Sequence, residues 1–187
     1  SIHDSISEQI ERLSPKWPDA GYIAYFQSFT NTYAPVETLS DLYHEALSDP
    51  RIEGIAIATR PDCLGDDVLD LLEEIGRDHF MWVELGLQTM HDETLRAMNT
   101  CYDLAAYDKA AGDLISRGIR VVTHIILGLP GETEEMTLDT VRHVCEMPIF
   151  GIKLHLMNIV KTSGLYKTMP GYVPFSSMEE YVDLVVR

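Results

Sequence analysis

Five short apolar stretches recur along the chain, each one βα unit from the next. They begin near residues 22, 55, 81, 121 and 151, and a helix-like segment follows each. The steps of 33, 26, 40 and 30 residues match a strand, a helix and two turns. A hairpin needs only about two to five connecting residues, whereas a helix-long return brings the next strand back parallel to the last. The chain is therefore expected to be α/β, with a parallel sheet either wound toward a barrel or wound both ways. A full eight-unit barrel takes roughly 250 residues, so a barrel built from 187 residues is partial.

The fourth stretch shows the pattern best. Val121-Val122-Thr123-His124-Ile125-Ile126-Leu127 is rich in β-branched residues, as suits a strand covered on both faces. It runs into Gly128-Leu129-Pro130-Gly131, where Pro130 cannot extend the ladder and the glycines allow a sharp turn or close approach of a ligand. Thr133 is placed to cap a helix, with Glu134 and Glu135 in its first turn. Similar reasoning predicts strands over 22–29, 55–59, 81–87 and 151–158. It predicts helices over 1–14, 35–47, 66–75, 92–98, 104–117 and 134–145, and a last helix capped by Ser176 or Ser177. Residues 1–187 read as one domain.

Composition narrows the function classes. Hydrophobic residues make up 45%, which fits a globular chain. No apolar run approaches the ~20 residues that cross a bilayer, and the start has neither the basic nor the apolar part of a signal peptide. The lack of an initiator Met points to a piece of a longer protein. Fourteen Lys and Arg against thirty Asp and Glu give a net charge of −16. Nucleic acid is not an expected partner for this segment, nor is an anionic membrane, since both repel such a field. Cys63, Cys101 and Cys145 lie too far apart for a zinc motif or a disulfide framework. They read as small, partly buried hydrophobes, and the location as cytoplasmic.

Strand residues alternate between faces. One face, with Ile55, Ile57, Val83, Leu85, Leu87, Val121, Ile125, Leu127, Ile152 and Leu154, should pack under helices. The other carries Tyr25, Gln27, Arg60, Trp82, Glu84, Gln88, His124, Lys153 and His155. Parallel strands are normally apolar on both faces. A charge left buried and unpaired costs several kcal/mol, so these groups must pair with each other, meet water or hold a ligand. A purely internal network such as Glu84 with Lys153 is one reading; a cavity for a polar small molecule is another. Glu84, His124 and His155 also form a possible metal set, which a metal-dependent hydrolase would use. His3, His44, His79, His91 and His143 fall on helices or edges and read as solvated. The Gly128–Glu132 turn is no Walker loop, and no G-x-G-x-x-G occurs.

Three segments carry a family resemblance. Val83-Glu84-Leu85-Gly86-Leu87-Gln88-Thr89, His124-Ile125-Ile126-Leu127-Gly128-Leu129-Pro130-Gly131-Glu132 and Gly151-Ile152-Lys153-Leu154-His155-Leu156 together resemble the radical SAM superfamily. Tyr25 to Pro35 and Thr59 to Leu64 resemble in particular the bacterial branch often labelled YhcC-like Fe-S oxidoreductases. The resemblance implies a partial TIM-type (β/α)6 barrel, here lacking its first strand and running from the first helix through the sixth. It implies S-adenosylmethionine and a [4Fe-4S] cluster at the carboxyl ends of the strands. The reduced cluster would cleave the cofactor to a 5′-deoxyadenosyl radical that abstracts hydrogen from a substrate. Gln88 matches a residue near the cofactor, and His124 matches a position facing it. The loop with Ser28, Thr30 and Asn31 stands where relatives use a glycine-rich turn toward the methionine amine. Gly128 lies in a turn expected to close around the nucleoside end. Arg60, Glu84, Lys153 and His155 complete the expected cofactor wall.

The sequence also departs from the family. The C-x3-C-x2-C cluster motif is absent, so this segment alone is expected to be inactive, with the cluster held only in an intact parent. Ala58 stands where several relatives carry a ribose-binding Glu, and Thr100-Cys101-Tyr102 replaces the more usual Arg-Gly-His. A non-catalytic binding module with a degenerate barrel is the alternative these departures raise. Without a first strand, residues 22–29 form an exposed edge, and self-association through it is expected.

Overall fold

A computed structural model describes residues 2–187. The elements follow in the order α1 (Ile2–Leu13), β1 (Tyr22–Phe26), α2 (Val36–Leu47), β2 (Ile52–Thr59), α3 (Asp66–Asp78), β3 (Phe80–Gln88), α4 (Asp92–Ala97), α5 (Leu104–Ser116), β4 (Arg120–Leu127), α6 (Glu134–Cys145), β5 (Gly151–Leu156), α7 (Gly164–Thr168) and α8 (Met178–Val186). The five strands form one sheet in the order β1-β2-β3-β4-β5, every pair parallel. The crossovers between sequential neighbours pack α2, α3, α5 and α6 against the sheet on its core side. The sheet is therefore half of a barrel, and the doubly wound alternative is excluded.

That helical face holds the core. Leu39, Tyr43 and Ala46 of α2, Leu69, Leu72 and Ile75 of α3, and Tyr107, Ala111 and Leu114 of α5 pack on Ile55, Ile57, Val83, Leu85 and Val121. The predicted apolar face is thus the helix-covered one. Capping works as the sequence suggests: Thr133 accepts from the Met136 amide, and Ser177 from that of Glu180. Asp103 does the same for α5 at Ala106.

Several boundaries differ from expectation. β1 stops at Phe26 instead of reaching residue 29, because the chain turns at Phe29, whose φ is 63°. β5 ends at Leu156, and the helix expected over 1–14 forms over Ile2–Leu13, with Ser1 outside the described residues. Leu13 is 38% exposed, so the buried stripe of α1 is Ile2, Ile6 and Ile10. Cys101 and Cys145 are exposed and only Cys63 is half-buried, which corrects the reading of all three as partly buried. Between β5 and α8, where no helix is expected, the short α7 forms, capped by Ser163.

Candidate functional site

The concave face of the sheet is organised around Glu84. It is 5% exposed and sits in the middle strand. Its Oε2 accepts from the Tyr25 hydroxyl at 2.5 Å, from His124 Nε2 at 2.7 Å and from Lys153 Nζ at 3.0 Å, while Oε1 accepts from Trp82 Nε1 at 3.1 Å. Lys153 Nζ also donates to the Tyr25 oxygen at 3.0 Å, and His155 Nε2 lies 3.2 Å from His124 Nδ1. Four strands thus contribute to one network. The register explains how. Ala58 stands beside Glu84 and Ala56 beside Tyr25, so β2 offers only methyl groups between the two. Strands lie about 4.8 Å apart, so a tyrosine from β1 crosses β2 to reach β3 only if β2 is small.

Burial is the strongest influence on the Glu84 carboxyl and pushes its pKa up. The donors Tyr25, Trp82, Lys153 and His124 together outweigh it and hold the group at about 2. The carboxylate is ionised at neutral pH and saturated with donors. Burial also lowers His124, and His155 and Lys153 lower it further against the pull of Glu84. His155 is lowered by burial and then by Lys153. Lys153 is disfavoured by burial, but Tyr25 and Glu84 overcome this and raise it. The set is one anion, one cation and two neutral imidazoles.

Beside the network lies a cavity of about 330 Å³ at the carboxyl ends of the strands. Arg60, Gln88 and Tyr102 supply its polar wall, and Leu95, Ile126 and Leu129 its apolar one. Gln88 follows a register shift at the end of β3 and has φ 71°. Its side chain folds back over Gly86, where an added Cβ would lie 2.8 Å from the Gln88 amide nitrogen. Arg60 is held by Asp62 in a two-pronged pair, with Nε to Oδ1 at 2.9 Å and its terminal nitrogen on Oδ2. The bidentate contact fixes the plane of the guanidinium.

The expected site residues therefore divide into groups. Glu84, His124, Lys153 and His155 meet in the network, and Arg60 and Gln88 line the cavity. Asn31 serves the fold: its amide nitrogen donates to the carbonyls of Phe26 and Ala58, and its own carbonyl accepts from the buried Tyr43. Ser28 is exposed and Thr30 half-buried in the same loop. Gly128, at φ 80°, lies under Pro174 and Phe175, and its carbonyl accepts from Tyr172. Tyr25, Trp82 and Tyr102 are site residues that the sequence reading does not single out for binding. The alternation that puts Tyr25 and Trp82 on the polar face is the available signal. His143, expected to be solvated, donates from Nε2 to Asp108 Oδ1 at 2.7 Å, and His91 meets the Met136 carbonyl at 3.0 Å.

Residues 2–144 match the radical SAM superfamily. The chain belongs to that superfamily. It is 45% identical to the uncharacterised protein YtqA of Bacillus subtilis over 93% of this chain and 54% of that one. It is 43% identical to the protein YhcC of Escherichia coli over 88% and 54%. The chain spans about half the length of these curated relatives. Among solved structures it is similar to the archaeal Methanocaldococcus infernus Elp3, with a TM-score of 0.70 at 20% identity over 86% of this chain and 42% of that one. It is equally similar to Escherichia coli coproporphyrinogen III oxidase, a radical SAM enzyme, with a TM-score of 0.69 at 20% identity over 88% and 38%. At such identities the likeness concerns the fold.

Radical SAM membership implies S-adenosylmethionine and a [4Fe-4S] cluster, and the residues fit the two differently. Iron–sulfur clusters are held by sets of cysteine thiolates. Cys63, Cys101 and Cys145 stand after β2, between α4 and α5, and at the end of α6, and no group of three metal-ligating side chains forms among the described residues. The cluster therefore has no ligand set in these residues. The same holds for the expected metal set of Glu84, His124 and His155, since His124 spends both nitrogens inside the network. A small organic cofactor does fit. The cavity combines a guanidinium, an amide and a phenol with an apolar wall, at the size of small-molecule sites.

Proposed function

We propose that this chain is the S-adenosylmethionine-binding part of a radical SAM enzyme. The carrying observation is the cavity of about 330 Å³ between Arg60, Gln88 and Tyr102 and the apolar Leu95, Ile126 and Leu129, at the carboxyl ends of the strands. The ends of parallel strands are where α/β barrels bind ligands. Arg60, with one edge of its guanidinium on Asp62, offers the cofactor carboxylate its remaining terminal N–H groups. Gln88 offers one donor and one acceptor. Ile126 and Leu129 offer the nucleoside an apolar surface. Bound S-adenosylmethionine supplies the radical chemistry for which the superfamily is named; these side chains bind, orient and shield it. The reading requires cluster ligands from elsewhere in a longer protein, and relatives about twice as long leave room for them. The substrate is a separate molecule whose identity this reading leaves open.

The test uses the full-length protein, reconstituted without oxygen using iron and sulfide, then reduced. Formation of 5′-deoxyadenosine from S-adenosylmethionine is the expected result. Arg60→Ala should weaken cofactor binding by roughly 10- to 100-fold in equilibrium dialysis, the value of one or two hydrogen bonds to a charged group. A protein that holds its cluster yet releases no 5′-deoxyadenosine would overturn the proposal.

A further inference from the structure

The network on the concave face ends in two unused polar groups. Glu84 Oε2 must accept from His124 Nε2, since an ionised carboxylate has no proton to give. In a neutral ring that leaves a lone pair on His124 Nδ1, so the facing Nε2 of His155 is the donor. The proton pattern is fixed along the row, and the lone pair of His155 falls on Nδ1, which meets no partner among the described residues. Lys153 directs two N–H groups at Tyr25 and Glu84 and keeps a third free. Its side chain is 37% exposed. Side by side on β5, an acceptor and a cationic donor open into the barrel interior.

We propose that His155 Nδ1 and the free N–H of Lys153 form a hydrogen-bonding site for a ligand hydroxyl, with Glu84 and His124 as positioning residues. A hydroxyl is the simplest group that gives one hydrogen bond and takes another. It donates to His155 and accepts from Lys153. A carboxylate suits the pair less well, because it would set a second acceptor against the His155 lone pair. Nor does the site attract anions strongly: Glu84 already balances Lys153, and the whole chain carries −16. The groups facing His155 are Glu84 on β3, His124 on β4 and Lys153 on its own strand. Burial and Lys153 keep the imidazole neutral, so Nδ1 keeps the lone pair that accepts a hydrogen bond. The inference rests on the reading that this barrel interior holds ligand, but its test needs neither cluster nor turnover.

Ring ¹H–¹⁵N correlations of the labelled chain read the tautomers directly. Both His124 and His155 should carry their proton on Nε2 at neutral pH. His124→Phe removes the acceptor for His155 while leaving Glu84 with Tyr25, Trp82 and Lys153, so His155 should then show mixed tautomers. A proton on Nδ1 of His155, or an unchanged His155 in a folded His124→Phe variant, overturns the positioning row. Diethyl pyrocarbonate, which acylates free imidazole nitrogens, tests the open end. It should modify His155 in the folded chain, with the rate falling as pH drops through the His155 transition. Lys153→Gln removes the neighbouring cation and should move that fall to higher pH. Glycerol or adenosine should slow the reaction and acetate should not. Protection by adenosine but not by 2′,3′-dideoxyadenosine assigns the hydroxyl to a nucleoside ribose; protection by glycerol alone assigns it to a separate substrate. Protection by acetate alone, or by no probe, overturns the hydroxyl assignment. A failed cofactor-cleavage assay would count against the proposed function and leave these results standing.

Discussion

Glu84 shows why a buried charge is tolerable at one position and ruinous a step away. Its four donors come from Tyr25, Trp82, His124 and Lys153. Deleting the carboxylate in Glu84→Ala leaves all four without their acceptor. Breaking a fully buried ion pair costs 3–5 kcal/mol, and the half-exposed Lys153 lowers this, so about 2–3 kcal/mol is expected in chemical denaturation. The pH dependence follows from direction. The folded carboxyl titrates at about 2, below its ordinary 4.5. An unfolded chain therefore binds more protons in that window, so the Glu84 contribution to stability is complete above pH 4.5 and is lost as pH falls toward 2. The depressed histidines act in the same sense just below their ordinary 6.5. Wild type should lose more stability than Glu84→Gln as pH is lowered from 4.5 to 2. Parallel acid curves for the two would contradict the assignment. Alternation along the strands was enough to put Glu84, His124, Lys153 and His155 on one face. It could not show that Asn31, a polar residue in a loop, spends its side chain on the Phe26 and Ala58 carbonyls, because the position of those carbonyls depends on the fold.

At the scale of elements, spacing carried the parallel order, but only the paired register shows how far a side chain reaches. The small inner face of β2, with Gly54, Ala56 and Ala58, reads in sequence as plain apolar filling. In the sheet it is the gap that lets Tyr25 of β1 meet Glu84 of β3. The turn after β4 was legible as a turn, while its cover was not. Gly128 has φ 80°, and an added Cβ would lie 2.7 Å from both Pro174 and Phe175. Gly128→Ala combines a left-handed backbone with a clash against two side chains that are part of the packing. A loss of about 2 kcal/mol or more is expected. Much of it should appear as loosening of residues 172–187, read as faster proteolysis there before global unfolding. A Gly128→Ala variant as stable and as resistant as wild type would show that Pro174 and Phe175 do not hold this turn.

The whole molecule is a half-barrel with two edges. β1 pairs only with β2, and β5 only with β4, among the described residues. An unpaired edge is a template for another strand. β1 is five residues long, Tyr22–Phe26, and carries no charged residue that would discourage pairing. We propose that the chain self-associates through this edge, which is shorter than the expected 22–29. The opposing force is electrostatic. A net charge of −16 on each copy repels a second copy, and salt screens that repulsion within about 8 Å at 0.15 M. Association should thus grow with salt as well as with concentration, the reverse of what an ion-paired interface would do. Light scattering across both variables reads this directly: the average mass should rise toward that of a dimer at high protein and high salt. Ile23→Lys puts a charge on the edge and should restore the monomer, since its side chain is only half-buried and the strand's core contact is Ala24. A monomer under every condition would remove the edge as an interaction surface, and an association that salt dissolves would move it to the charged helical face.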